Sequence, residues 1–475
     1  MVKTDKQTQT ETHIGEQSKG YWDTLVVGLG TTGLSVVRYL HAQNKKIAVT
    51  DSRVSPPGQD ELRQNYPQIP CYFGAFRADV FLQAKLLIVN PGIPIATAEI
   101  EQAQKAGAEV IGDVELFARA LLADEIDTPI VAITGSNGKT TVTTLLQLMA
   151  QKSQLLEQTG GNIGVPALDL LPCIDVAGSS KKTELYILEL SSFQLETTSG
   201  LRAVTAVVLN ICEDHLDRYN NIEHYAATKG LIYNQCDIPV VNRDDAVALS
   251  LAQGKEALSF GLDEPQSGHY GLRQKDDTTW LAKGEQCLLA VNEMKLSGKH
   301  NQANALAALA MGEIVGLKQA AMLAVLRQYA GMEHRTQWIA TIDGVEWYND
   351  SKGTNVGATL AALEGLEGLI VLILGGQGKD ADFSPLKTAV KNNARAVILI
   401  GEDATIISAV LGAVVPETIA ISMTDAVELA AKIAKRGDKV LLSPACASFD
   451  MFENYQARGD AFMRCVNAYE KQKEA

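Results

Sequence analysis

Six residues between an apolar run and a helical pattern have the types needed to bind a nucleotide phosphate. They read Gly135-Ser-Asn-Gly-Lys-Thr140. The backbone N–H groups of such a loop cradle phosphate, its lysine reaches the terminal phosphates, and its threonine hydroxyl can ligate Mg²⁺. A full phosphate-loop motif would also place glycine at position 133, where this chain has isoleucine. A tight turn is the alternative, but Lys139 and Thr140 favour phosphate binding.

The flanks of this loop predict the elements that position it. Ile130 to Ile133 is a continuous apolar run, typical of a strand buried on both faces of a parallel sheet. After the loop, Val142, Leu145, Leu146 and Met149 recur at i, i+3, i+4 and i+7, which predicts a helix. The loop therefore stands at the N-terminus of a helix that follows a buried strand.

Composition bounds the possible functions. A chain of 475 residues is too long for one hydrophobic core, and its net charge of -14 argues against bulk binding to nucleic acid or an anionic membrane. The seven cysteines are scattered without a Cys-x-x-Cys pair, which predicts reduced thiols in a cytoplasmic protein and no zinc site. No apolar run is long enough to cross a bilayer. Residues 1–20 are polar, and we expect a disordered leader to which no function is assigned.

A second glycine-rich turn lies near the N-terminus. Gly28-Leu-Gly-Thr-Thr-Gly33 follows the apolar strand Thr24 to Val27, and Asp51 lies 18 positions after the last glycine. This pattern suits NAD, with Asp51 on a ribose hydroxyl. Arg53 equally suits a phosphate or a uracil-bearing diphosphate, and the glycines could also serve only close helix–strand packing.

Polar residues also follow the other predicted strands of the central region. Glu189 ends the apolar run Leu185 to Leu188, where a Mg²⁺ ligand would sit, although a capping or ion-paired glutamate is equally compatible. The strand Ala206 to Leu209 leads into a polar cluster that contains His215. On the following helix, the pattern alone favours a solvated Lys229. Further on, two amides at i, i+3 could read an adenine edge or cap a helix, namely Asn301 and Asn304.

From about residue 331 the chain alternates strands and helices again, which predicts another doubly wound parallel sheet. Three polar loops follow its strands: Asn349 to Asn355, Gly375 to Asp380, and Ser443 to Phe449. Because parallel strands end at one edge, we expect the loops to form one anion-binding face. Each loop alone could be a tight turn.

The predicted fold class is therefore α/β with three domains: a Rossmann-like N-terminal domain (21–127), a central P-loop ATPase-like domain (128–331) and a C-terminal doubly wound Rossmann-like domain (332–475). Phosphate machinery between two further α/β domains points to ATP-driven chemistry on a second substrate. Phosphorylation turns a carboxylate into an acyl phosphate that an amine can attack, and catalysis is then mainly positioning and charge neutralisation.

From about Trp22 to the C-terminus, the chain resembles the Mur ligases of bacterial cell-wall synthesis. The motifs that carry the resemblance begin at Ile133, Leu188, Glu213, Leu296, Asn349, Gly375 and Leu442. The stretches Asn349 to Asn355 and Leu442 to Ser448 are most similar to members that add D-glutamate to UDP-N-acetylmuramoyl-L-alanine. Two alternatives stay open: a related ligase for another amino acid or folate, and a nucleotide-sensing protein without catalysis.

The resemblance implies roles residue by residue. Catalysis would fall to Lys139, Glu189, His215, Lys229 and Lys379. ATP would be held by Gly135, Ser136, Asn137, Gly138, Lys139, Thr140, Thr141, Asn301, Asn304, His334, Arg335, Asp350 and Lys352. The UDP substrate would meet Thr32, Asp51, Arg53, Asn90, Gly92, Asn162 and Ser191. D-Glutamate would meet Thr354, Lys379, Ser448, Phe449 and Tyr455.

The resemblance also implies the cofactors and partners. Two Mg²⁺ sites would use Thr140, Glu189, His215 and a carbamate formed on Lys229 by CO₂. This carbamate reading replaces the surface role that the helical pattern favours for Lys229, and the UDP substrate replaces NAD at Arg53. The expected partners are ATP and the two small-molecule substrates, with no nucleic acid and no membrane, and the expected state is a cytoplasmic monomer.

Overall fold

Three α/β sheets follow one another along the chain in the computed structural model, which describes residues 22–172, 182–215, 218–296, 298–379 and 381–474. The predicted leader, 1–20, lies outside these residues. The chain divides into an N-terminal unit, Met1–Asp113, and a second unit, Val114–Ala475. Below, the central region denotes residues 114–328 and the C-terminal region residues 329–474, both within the second unit. Among the described residues, no helix is both long and apolar enough to span a membrane.

The N-terminal unit contains a five-stranded parallel sheet in the order β3-β2-β1-β4-β5. Its elements are β1 Thr24–Val27, α1 Thr31–Ala42, β2 Ile47–Asp51, α2 Gln59–Asn65, β3 Cys71–Phe73, α3 Ala78–Phe81, β4 Leu86–Val89, α4 Ala98–Lys105 and β5 Glu109–Ile111. The strand order reverses between β1 and β4. Ligands of open α/β sheets bind at such a point, and the turn after β1 carries the glycine-rich motif Gly28 to Gly33.

The central region carries a nine-stranded sheet in the order β14-β13-β12-β11-β10-β9-β6-β8-β7. Its elements are α5 Asp113–Ala123, β6 Ile130–Thr134, α6 Lys139–Lys152, β7 Glu157–Gly161, β8 Leu185–Glu189, α7 Ser192–Leu195, β9 Ala203–Val208, α8 Ile222–Gly230, β10 Cys236–Asn242, α9 Ala246–Ser250, β11 Leu258–Phe260, β12 Tyr270–Lys275, β13 Thr278–Lys283, β14 Gln286–Ala290, α10 Lys299–Ile314 and α11 Gln319–Gln328. β12, β13 and β14 pair antiparallel, while the other pairs are parallel. Helices α6 and α10 bury their apolar faces in one core with the sheet.

The C-terminal region carries a six-stranded sheet in the order β15-β16-β20-β17-β18-β19. Its elements are β15 Gln337–Ile342, β16 Val345–Asn349, α12 Val356–Gly365, β17 Ile370–Leu374, α13 Leu386–Asn393, β18 Ala394–Leu399, α14 Ala404–Leu411, β19 Glu417–Ile419, α15 Met423–Ile433, β20 Lys439–Leu442 and α16 Tyr455–Glu474. Only the β15–β16 pair is antiparallel. Because β16, β20 and β17 are parallel neighbours, the three polar loops that follow them share one edge, as the sequence predicts.

The predicted α/β fold class is confirmed, and most predicted strands lie within a few residues of the observed ones. The short strand β5, which lies between two helices, was not predicted. Three residues at the edge of a sheet carry too weak a period-2 pattern to be seen among helical neighbours.

Candidate active site

The phosphate loop joins β6 to α6, as the sequence predicts. Gly138 caps α6 with a left-handed backbone, φ +84°, and a Cβ there would lie 2.4 Å from the Asn304 side-chain oxygen. Two reasons therefore require glycine: backbone conformation and space. Lys139 Nζ donates to the carbonyl oxygens of Gly135 and Ser136 at 2.7 and 2.9 Å. Burial lowers the pKa of Lys139, although the Glu189 carboxylate counteracts it.

Two amides of α10 lie behind this loop. Asn301 and Asn304 are buried, and the Asn304 side-chain amide donates to the Asn301 side-chain oxygen Oδ1 at 3.3 Å. Their spacing places both on one face of the helix, as predicted. Asn304 contacts the loop at Gly138, so it supports the loop from behind, and reading an adenine edge stays a prediction.

Glu189 ends β8 beside the loop and is only 2 % exposed. Its Oε1 accepts from the Asn162 amide at 2.9 Å, whereas Oε2 has no hydrogen-bond partner within the described chain. A buried carboxylate oxygen without a partner is costly, so this atom suits a cation or a water held by one.

Lys229 is the largest departure from the pattern-based expectation. The prediction of a solvated lysine is wrong, because Lys229 is 1 % exposed and its Nζ lies 3.3 Å from the Thr134 hydroxyl. Nζ also lies 4.8 Å from the centre of the Tyr225 ring, one helical turn earlier on α8. Burial, reinforced by the nearby Lys139 cation, holds the pKa of Lys229 well below its usual value. Its amine is therefore readily neutral and nucleophilic.

His215 follows β9 with a left-handed backbone, φ +56°. Its ring packs edge-on against Phe193 at 4.8 Å, and its Nε2 lies 3.8 Å from Oδ1 of Asp214. These contacts keep the imidazole at the rim of the cavity described below.

No three His, Cys, Asp or Glu side chains converge on a metal position in the part of the chain that the structure describes. Mg²⁺ usually binds through one or two carboxylates, waters and substrate phosphates, so it does not require such a cluster. The unpartnered Glu189 oxygen and the nearby Thr140 hydroxyl, which accepts from Arg335 at 2.7 Å, suit that mode of binding.

The loop after β16 places two ionisable groups with shifted pKa values. Burial raises the pKa of Asp350 to about 6, although the Ser443 hydroxyl donates to it at 2.7 Å. Burial, together with the Arg335 cation, lowers the pKa of Lys352 to about 8. The Lys352 ammonium lies 4.1 Å from the centre of the Tyr455 ring. His334 packs behind this loop, with its Nδ1 2.9 Å from the Asn349 amide nitrogen.

The loop after β17 presents Lys379, whose backbone is left-handed at φ +53°. Its Nζ lies 5.9 Å from the centre of the exposed Phe449 ring. The N–H of Gly378 donates to Asp403 at 2.6 Å, which fixes the turn that carries Lys379. Sequence reasoning missed Asp403, because nothing near it in the chain marks it.

Arg458 on α16 was also missed. It is buried, and its guanidinium donates to the Ser351 hydroxyl at 3.0 Å and to the carbonyls of Ser351, Cys446 and Ala447 at 2.8, 3.1 and 3.2 Å. Burial lowers its pKa to about 10. Arg458 thus joins the loop after β16 to the loop after β20. Its position three residues after Tyr455 is the only sequence signal that could have found it.

Residues of the phosphate loop, β8, α8 and the three C-terminal loops line a cavity of about 690 Å³. The predicted residues that line it are Ser136, Asn137, Gly138, Lys139, Thr140, Asn162, Glu189, Ser191, His215, Lys229, Arg335, Lys352, Thr354, Lys379, Ser448, Phe449 and Tyr455. Other predicted residues of the second unit do not line it: Gly135, Thr141, Asn301, Asn304, His334 and Asp350. The cavity therefore joins the phosphate loop to all three C-terminal loops.

The remaining predicted residues lie in the N-terminal unit, around the turn after β1. Asp51 is buried, accepts from the Leu29 N–H at 2.7 Å, and forms two hydrogen bonds with the Arg53 guanidinium at 2.9 and 2.7 Å. Burial alone would raise the pKa of Asp51, but the bonds from Arg53 and Leu29 lower it below its usual value.

Asn90, after β4, closes the same turn. Its amide donates to the carbonyls of Val27 and Gly28 at 2.9 and 2.6 Å. Thr32 is half-buried in the first turn of α1, and Gly92 has open space where a Cβ would be. Asp51 is thus held by its own chain, whereas the Arg53 side chain that pairs with it is half-exposed.

Known families match each of these regions. A model of the Mur ligase MurD-like N-terminal domain matches residues 22–112, the Mur ligase middle domain matches 133–312, and the Mur ligase glutamate ligase domain matches 334–446. This chain belongs to the Mur ligase family.

Two relatives of this Mur ligase carry the name UDP-N-acetylmuramoylalanine–D-glutamate ligase. The one from Marinobacter nauticus is 48% identical over 93% of this chain and 97% of its own length. The one from Pseudomonas fluorescens is 49% identical over the same shares. A solved UDP-N-acetylmuramate-alanine ligase from Thermotoga maritima has a TM-score of 0.57 at 19% identity, covering 95% of this chain and 99% of that chain. That likeness supports the three-sheet Mur ligase fold.

Proposed function

We propose that this Mur ligase joins D-glutamate to UDP-N-acetylmuramoyl-L-alanine at the cost of ATP, forming ADP and phosphate, in the synthesis of peptidoglycan precursors. The observation that carries the proposal is the cavity that the phosphate loop and the C-terminal loops line together. The names of the relatives that are 45–49% identical over at least 93% of the chain support the same reaction.

The chemistry follows from the groups in the cavity. The alanyl carboxylate attacks the γ-phosphorus of ATP, the bond to the bridging oxygen breaks, and ADP leaves. The neutral amine of D-glutamate then attacks the carbonyl carbon, phosphate leaves, and the amine loses a proton to solvent. Lys139 and the N–H groups of its loop stabilise the phosphate charge that develops in the first step.

Mg²⁺ would neutralise phosphate charge when bound, and Thr140, Glu189 and His215 would hold it in two sites. We further propose that Lys229 becomes a carbamate. Its neutral amine would form a bond to the carbon of CO₂ and release a proton, which replaces a buried amine with a carboxylate. The low pKa and full burial of Lys229 support this step, since only a neutral amine attacks CO₂.

The other predicted residues divide among the ligands according to the three regions, for which we propose the domain bounds 21–127, 128–331 and 332–475. The UDP substrate would be held by Thr32, Asp51, Arg53, Asn90 and Gly92, with its alanyl end near Asn162 and Ser191. ATP would use the phosphate loop together with Asn301, Asn304, His334, Arg335, Asp350 and Lys352. D-Glutamate would contact Thr354, Lys379, Ser448, Phe449 and Tyr455.

A panel of amino acids tests the proposal. The purified chain is given ATP, Mg²⁺, UDP-N-acetylmuramoyl-L-alanine and one amino acid at a time, and phosphate release is measured together with the mass of the product. We expect turnover with D-glutamate and background release with L-glutamate, L-alanine or L-lysine. Efficient turnover with another amino acid and none with D-glutamate would refute the assignment. The Lys139→Ala variant serves as the control for contaminating ATPases.

A further inference from the structure

Asn355 lies at the end of the loop after β16, and its side chain bonds to three different segments. Its Oδ1 accepts from the Ala358 N–H at 2.8 Å, which caps α12. The same amide pairs with the side chain of Asn137 in the phosphate loop, through contacts of 3.3 and 3.4 Å in the two directions. Its Nδ2 also donates to Asp214 Oδ2 at 3.2 Å. One buried side chain therefore joins the C-terminal region to two segments of the central region.

The main chain of Asn137 is held separately, from within the central region. Its N–H donates to the Asn210 side chain at 2.8 Å, and its carbonyl accepts from the Asn210 amide at 3.1 Å. The contact between the Asn137 and Asn355 side chains is thus an addition to a loop that its own sheet already supports. Because Asn355 caps α12, this side-chain contact forms only when the N-terminus of α12 lies against the phosphate loop.

A second contact at the same position is steric. Gly357, in the first turn of α12, packs so closely that a Cβ on it would lie 2.7 Å from Cys212 Sγ and 3.4 Å from Asn137 Nδ2. Its backbone is not left-handed, so space alone accounts for glycine here. The first turn of α12 therefore sits directly against the phosphate loop and the segment before Asp214.

We propose that Asn355 is a positioning residue, whose amide aligns Asn137 and Asp214 when α12 seats against the phosphate loop. The Asp214 carboxylate attracts the Lys139 and Lys352 cations, so fixing its position also fixes the charge balance of the cavity. ATP binding then depends on the seating of the C-terminal region. The inference rests on the proposed use of ATP and is independent of which amino acid is the substrate.

Asn355→Ser tests this role, because serine still caps α12 while its hydroxyl is too short to reach Asn137 or Asp214. We expect the affinity for a fluorescent N-methylanthraniloyl ATP to fall about tenfold, as for the loss of one or two hydrogen bonds. kcat should fall with it, while KM for D-glutamate changes less than about twofold. Asn221→Ser is the matched control, since exposed Asn221 caps α8 through the same bond to a backbone N–H.

A double-mutant cycle with Asn137→Ala separates positioning from general damage. If the two amides act together, Asn355→Ser should weaken ATP binding about tenfold in the wild-type chain and less than about threefold in the Asn137→Ala background. Equal losses in both backgrounds would overturn the proposal, as would a change confined to KM for D-glutamate.

Gly357→Ala provides a second variant that leaves Asn355 intact. The added methyl displaces α12 from Cys212, so nucleotide affinity should fall as in Asn355→Ser, with far-ultraviolet circular dichroism unchanged. Full nucleotide affinity in this variant would contradict the proposal. Because these readouts use nucleotide binding alone, a failed amino-acid panel would refute the D-glutamate assignment and leave this result interpretable.

Discussion

Two glycine-rich turns in this chain each follow a strand that has parallel neighbours on both sides, and each opens a helix, yet their surroundings differ. Around the turn after β1, the buried charge is paired within the chain, because Asp51 accepts hydrogen bonds from Arg53 and from the Leu29 N–H. The neutral Asn90 amide donates to two carbonyls, while its own buried side-chain oxygen has no hydrogen-bond partner among the described residues. Around the turn after β6, Glu189 keeps a carboxylate oxygen without a partner, and Lys229 is buried with one weak hydroxyl contact.

Glycines thus specify the backbone of such a turn, whereas the neighbouring side chains specify its chemistry. At the turn after β1 the buried carboxylate is already paired, so the half-exposed Arg53 guanidinium is the charged group that a ligand could reach. A turn beside unpaired and desolvated charges is the place where charge can be moved. The turn after β1 should therefore govern affinity for the UDP substrate, and the turn after β6 should govern turnover.

The largest effect should come from Lys139→Ala, which removes the cation of the turn after β6. We expect kcat to fall by about 100- to 1000-fold, the range seen when one stabilising donor is removed from a transition state. Binding of the UDP substrate, measured by calorimetry, should be unchanged. Lys152→Ala, at the far end of α6, is the control and should retain full activity. An equal loss of UDP-substrate binding in Lys139→Ala would erase the distinction between the turns.

Lys229→Ala should reduce activity by about 100-fold, the upper range for groups that support a metal site. Acetate or formate in the assay buffer should restore part of it, because a small carboxylate can occupy the space of the proposed carbamate. The measurement is phosphate release against carboxylate concentration, with chloride at matched ionic strength as the control. Unimpaired turnover of the variant would remove the carbamate proposal.

Arg53→Ala should have a smaller effect, and of a different kind. Losing one charge-assisted contact should raise KM for the UDP substrate roughly tenfold, with kcat and KM for ATP nearly unchanged. The control is Arg38→Ala, whose side chain forms a surface pair with Glu61 in the same unit. A fall in kcat without a change in KM for the UDP substrate would show that the region around the turn after β1 contributes to turnover.

The smallest effect concerns pH. Lys352 has a pKa of about 8, so its ammonium is charged below that pH and loses its charge as the pH rises through 8. If it contacts ATP phosphates, KM for ATP should rise a few-fold between pH 7 and 9. Lys352→Arg stays charged throughout and should flatten this dependence. A variant with the wild-type pH profile would exclude Lys352 as the source.

Much of the fold could be predicted from the sequence, because buried parallel strands are continuous apolar runs followed by polar loops. The phosphate loop, Glu189 and the shared edge of the three C-terminal loops follow from that pattern. Burial of a charged residue does not. Lys229 occupies a helix with a weak apolar face, and only the packing around Tyr225 and Thr134 makes it a core residue.

The unpredicted residues act through contacts that are distant in the chain. Asn137 and Asn355 are 218 positions apart, and Arg458 bonds to a loop 107 positions earlier. Asn137, Asn355 and Arg458 belong to no repeating sequence pattern that could mark them as functional. Their roles emerge only when two sheets place their loops against one another.

Arg458 has a further consequence for how this family could diversify. Three of its four acceptors are main-chain carbonyls, which every residue type supplies. The loops that it joins can therefore change their side chains without losing their anchor. Because these loops are proposed above to contact the amino-acid substrate, selection on their side chains can alter specificity while the framework that holds them stays constant.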